Sequence, residues 1–66
     1  MPAIRKTAEP LSGGPEWLAE YLQVQLRTVY SWRARGGGPP CYVVGRHLRY
    51  RRSEVDAWLR QRHESA

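Results

Sequence analysis

Residues 15–35 read PEWLAEYLQVQLRTVYSWRAR and run directly into GGGPP at 36–40. The spacing in this stretch decides the fold. Pro15 opens a helix, because its missing N–H would have no intrahelical partner at that position. Glu16 then meets the positive end of the helix dipole. Trp17, Leu18, Tyr21 and Leu22 fall on one helical face, with the small Ala19 between them. This predicts a first helix over 15–22. After a short break at 23–25, a second helix is predicted from Leu26 to Arg35, ended by three glycines and two prolines. Leu26, Val29, Trp32 and Arg33 share one side of it, and Val29 and Trp32 are its expected anchors. Arg27, Ser31 and Ala34 lie opposite, flanked by Thr28, Tyr30 and Arg35.

Downstream, Cys41–Val44 is a β-type run. Gly45-Arg46-His47 makes a tight loop, and residues 48–51 alternate apolar and basic with period two. A short hairpin follows, with Leu48 and Tyr50 inward and Arg49 and Arg51 outward. Ser53 is the expected N-cap of a last helix, with Asp56 completing a weak capping box. Val55, Trp58 and Leu59 form its apolar face, and Arg60, Arg62 and His63 complement its C-terminal dipole. Residues 1–12 carry no periodic pattern and are expected to be a flexible tail, 13–62 the folded domain, and 63–66 a frayed end. The expected fold class is α+β, mainly α: helix, tight turn, helix, hairpin wing, helix.

Charge is concentrated in the middle of this plan. The chain has 66 residues and a formal net charge of +5. Residues 25–52 hold Arg27, Arg33, Arg35, Arg46, Arg49, Arg51 and Arg52 with no carboxylate, a sum of +7, while each flank sums to −1. A block of one sign is an electrostatic footprint for a polyanion. Ten of the eleven basic residues are Arg, whose guanidinium fork suits phosphates and guanine edges. Two helices joined by a three-residue break, the second basic and outward-facing, form a helix-turn-helix. In that arrangement the second helix enters the major groove of duplex DNA and a basic hairpin acts as a wing.

Other chemistries find little support. So short a chain buries only about 60% of its unfolded surface, too small a core for a cleft enzyme with a buried cofactor. No catalytic residues and no cofactor are expected. The single Cys41 forms no internal disulfide, which fits a reducing cytoplasm, and it has no neighbouring base to act as a nucleophile. His47 and His63 are too isolated for a metal site. The glycines at 36–38 lack the Lys-Ser/Thr of a phosphate loop. No apolar run approaches the roughly 18 residues of a membrane span, and the first residues lack a signal-peptide apolar region. Trp17, Trp32 and Trp58 sit on apolar faces and read as core rather than as stacking platforms for single strands. Tyr30 reads equally well as a groove contact or as half-buried packing.

The segments PEWLAEYLQV (15–24), RTVYSWRARG (27–36) and VGRHLRYRRSEVDAWL (44–59) resemble the excisionase family of small winged helix-turn-helix proteins, relatives of the MerR-type DNA-binding domain. The match rests on Ala19-Glu20-Tyr21-Leu22, Thr28-Val29-Tyr30 with Trp32, the wing turn Val44-Gly45-Arg46, and Asp56-Ala57-Trp58-Leu59. Three positions depart from the pattern: Gln23 replaces a usual turn glycine, and Gln25 and Gly14 replace Ser or Thr caps. The resemblance implies a non-enzymatic protein that binds repeated sites in duplex DNA, side by side, bends them, and helps a phage or plasmid integrase toward excision. Carried over, Arg27, Thr28, Tyr30 and Ser31 are major-groove contacts, Arg46 and His47 the wing tip, and Arg35, Arg49 and Arg51 phosphate clamps. A small MerR-like or AlpA-like transcriptional regulator on the same scaffold would look alike. A protein-interaction adaptor and a single-strand binder are the remaining readings.

Overall fold

The computed structural model describes residues 9–63, and in it three helices and one hairpin enclose a core of five side chains. Helix α1 spans Pro15–Leu22 and α2 spans Leu26–Arg35, as the sequence predicts. Strands β1 (Tyr42–Val44) and β2 (His47–Arg49) pair antiparallel, and α3 spans Arg52–Gln61. The fold is a small α+β winged helix-turn-helix. Leu18, Val29 and Val55, one from each helix, are fully buried and meet with Ala19 and Tyr50. Burying each of the three large aliphatic side chains is worth about 1.5–3 kcal/mol. Trp32 packs edge-on against Trp58 at 5.5 Å, and Trp17 stacks on Tyr21 at 4.9 Å. The three tryptophans are therefore packing residues. Leu26 and Leu59 depart from the expected inner faces and stay exposed.

The break between α1 and α2 is set by Gln23, which lies in the left-handed region at φ 60. A side chain there crowds the following carbonyl. Gln23 offsets part of this by donating its amide to Glu20 O at 2.9 Å. Gly36, at φ 80, ends α2 the same way without a Cβ to crowd. Neither Gly14 nor Gln25 caps its helix with a side chain.

At the hairpin, Val44 pairs with His47, so the loop is Gly45-Arg46 alone. His47 is thus the first residue of β2 and not part of the loop. Gly45 has φ 66 and Arg46 is not positive, the pattern of a tight turn with glycine in its first central place.

Two expectations at α3 change. The helix begins at Arg52, and Ser53 does not cap it. Its free N–H groups are satisfied from residues 9–12, which had been read as part of a flexible tail. Ser12 Oγ accepts from Arg52 N at 3.0 Å, and Glu9 Oε2 from Ser53 N at 3.2 Å. Beside them Gly13 forms a β-bridge with Tyr50. The boundary drawn at residue 12 therefore cuts through a docked segment, whereas 1–8 and 64–66 lie outside the described residues. Asp56, expected in a capping box, instead accepts the Tyr21 hydroxyl at 2.6 Å and ties α3 to α1. The missing signal was long-range, since Ser12 and Arg52 are forty positions apart.

Two outcomes are expected in unfolding experiments. Gln23→Gly relieves the left-handed strain and raises stability by up to about 1 kcal/mol in denaturant titrations. Glu9 carries its charge more readily than an ordinary carboxyl because the Ser53 side chain and backbone bond to the ionised form, with Arg51 and Arg52 adding attraction. A lowered folded-state pKa stabilises above the unfolded value, and that stability is lost as pH falls through the folded one. The melting temperature should therefore drop on acidification below about pH 4.5, the ordinary carboxyl value. Glu9→Gln should flatten the part of this dependence that Glu9 carries.

Candidate nucleic-acid interface

Helix α2 owes its orientation to its buried side. Val29 is fully enclosed and Trp32 leans on Trp58, so the opposite face turns to solvent. Arg27, Tyr30, Ala34 and Arg35 are exposed away from Val29, with Tyr30 at 48%, and Arg33, one turn on from Val29, is exposed on the hairpin side. Thr28 and Ser31 are only half-exposed. Of the four residues expected as groove contacts, Arg27 and Tyr30 stand fully forward and Thr28 and Ser31 stand back. Arg33 was expected on the inner side and is exposed. A clue lay in the sequence, because an arginine with no acidic partner nearby is almost never buried. Tyr30 and Arg33 also lie close enough to Tyr50 to act on its hydroxyl, which puts them on the hairpin side of α2. The Tyr50 hydroxyl itself is pushed up to about 12, first by burial and then by its contact with Cys41.

The hairpin supplies the second basic element. Arg46 sits at its tip and His47 just behind, both exposed. Cross-strand partners share a face, so Tyr42 with Arg49 and Val44 with His47 lie on one side and Val43 with Leu48 on the other. Arg49 is half-buried, and its guanidinium donates to Leu48 O at 2.7 Å.

Arg51 is placed differently from the phosphate clamp expected of it. Its Nε donates to Glu9 O at 2.8 Å and its Nη1 to the Tyr42 hydroxyl at 3.0 Å. It pairs with Glu54 at 3.4 Å and lies over the Tyr42 ring at 4.9 Å. Tyr42 in turn donates to Glu54 Oε2 at 2.8 Å, and that bond keeps the phenol protonated to higher pH than usual. Arg51 thus fastens the N-terminal segment, β1 and α3 together. Glu9, Tyr42 and Glu54 converge from three parts of the chain on its Nε and Nη1. By contrast, Arg27, Arg33, Arg35 and Arg46 make no ion pair among the described residues.

What remains is a basic, exposed helix face and a basic hairpin tip, with α1 packed against the helix. A model of the helix-turn-helix domain family matches residues 15–63, which take in α1, α2, the hairpin and α3. The chain belongs to the helix-turn-helix domain family. Neither the comparison with curated proteins nor that with solved structures returned a match. Membership makes this a DNA-binding domain, and in a helix-turn-helix the second helix is the one that lies in the major groove. The second helix of this helix-turn-helix is α2. Among the described residues, no helix is long and apolar enough to cross a membrane.

The split between inward and outward arginines can be measured. Arg51→Ala is expected to lower folding stability by about 1–2 kcal/mol, since it removes several hydrogen bonds at once. Arg46→Ala should leave the melting temperature in place. It should weaken duplex binding and reduce the slope of log K against log salt by about 1, the signature of one lost phosphate contact.

Proposed function

We propose that this helix-turn-helix protein is an excisionase-type accessory factor that acts on duplex DNA without catalysing a reaction. It binds repeated sites in the attachment region of a phage or integrative plasmid. Copies lie side by side, bend the DNA, and help the integrase run recombination toward excision. The observation that carries this reading is the acid-free block at 25–52, whose exposed arginines fall on α2 and the hairpin tip, with Arg52 at the start of α3. The sequence resemblance over about 15–60 points the same way, since the elements that carry it are those that form this surface. Arg27 and Tyr30 enter the major groove, with Thr28 and Ser31 at its margin. Arg46 and His47 reach the neighbouring groove, and Arg35 and Arg49 hold phosphates. Arg51 joins them through Nη2, since its Nε and Nη1 are engaged within the fold.

A regulator of MerR-like type on the same scaffold is the second reading, favoured by the same surface, because a fold hosts more than one function. One assay separates them. Purified protein is footprinted on the attachment region of the element that encodes it, and excision is measured with the cognate integrase present. Protection of repeated sites together with faster excision supports the proposal. Protection with no effect on excision turns the reading to transcription, and equal affinity for random duplex, single strands and RNA removes groove reading altogether.

A further inference from the structure

Six of the seven aromatic side chains have a structural partner. Trp17 and Tyr21 stack, Trp32 and Trp58 meet edge to face, Tyr42 lies under Arg51, and Tyr50 is buried. Tyr30 is the exception among the described residues: it is 48% exposed, with no stacking or cation partner. A large ring left half in water on α2 is only partly used by the fold, and its free half is available for a contact with another molecule. Its surroundings say which contact. Arg27 stands one helical turn before it and Arg33 one turn after, both exposed and unpaired among the described residues. Ala34, four positions on from Tyr30, extends the apolar strip. From Arg27 to Arg33 the helix rises about 9 Å, which spans two to three base steps.

The major groove offers one apolar group, the C5-methyl of thymine, and two adjacent acceptors on guanine that suit an arginine fork. We infer that the outer face of α2 reads thymine by its methyl group, with Tyr30 and Ala34 forming the apolar contact and Arg27 and Arg33 reading guanines on either side. This deepens the groove-reading part of the proposed function and rests on it. Arg33 is the specificity residue that the sequence pattern had turned inward. Phosphate contact by the tyrosine hydroxyl is the competing role, and it does not require a thymine.

The test uses the full chain and the tightest duplex selected from a random-sequence pool. Each thymine in the footprint is replaced in turn by deoxyuridine, which removes the methyl and leaves every hydrogen-bonding group. At one or two positions, binding should weaken about fourfold, as burial of one methyl-sized group implies. Tyr30→Phe should keep this discrimination, and Tyr30→Ala should bind thymine and uracil duplexes alike while its melting temperature stays near that of the parent. A selected site without thymine, or affinity indifferent to every uracil replacement, overturns the inference while leaving duplex binding intact. Equal weakening of thymine and uracil duplexes in Tyr30→Ala, with the parent's discrimination kept, assigns the tyrosine to the backbone and overturns it too. Failure of the selection to enrich any duplex would instead count against groove reading as a whole.

Discussion

Everything outward-facing on this protein depends on the meeting of Leu18, Val29 and Val55. Each comes from a different helix, and each is fully buried. Around this meeting point Trp17, Tyr21, Leu22, Val24, Trp32 and Cys41 pack as a half-buried rim. Because an α-helix has 3.6 residues per turn, burying Val29 fixes the bearing of every other side chain on α2. Arg27 and Ala34 face outward as a consequence of what Val29 does, with Tyr30 to one side; Arg33, four positions on from Val29, reaches solvent from the inner side. The interface is in this sense the reverse side of the core.

Small size makes the surroundings of that core do several jobs. No side chain at Arg51 caps α3, and Glu9 and Ser12 of the N-terminal segment take that place. The same segment pairs with Tyr50 through Gly13 and receives the Arg51 guanidinium through the Glu9 carbonyl. Arg51 thus carries charge that composition assigns to the binding surface and uses it in the fold. Arg52 likewise lies over the Tyr21 ring at 5.6 Å and donates to its hydroxyl. The excess of basic residues is therefore divided: part of it joins elements together, and the remainder faces solvent on α2 and the hairpin tip.

Much of this was legible in the sequence. Helix α1 was delimited by Pro15 and by the spacing of Trp17, Leu18, Tyr21 and Leu22, and α2 by its own period and the glycines after it. Those signals work because they are local: a capping position, a helical period and a chain-breaking run each act within a few residues. The left-handed strain at Gln23 was also readable, from the glycine that a turn of this kind usually has. The start of α3 was misread for the opposite reason. Ser53 had the local look of a cap, but Ser12 and Glu9 were already in place to satisfy those N–H groups.

The sequence by itself determined the order of elements, the apolar seams that hold them, and the location of the positive charge along the chain. Only the tertiary structure decided which arginines are free to meet another molecule. Period and composition put Arg33 inward and Arg51 outward, whereas packing turned Arg33 to solvent and drew Arg51 into contact with Glu9, Tyr42 and Glu54. The physical reason is that a guanidinium at the end of a long side chain goes where acceptors converge. That convergence joins residues up to forty-two positions apart in the chain, and it exists only once the chain has folded.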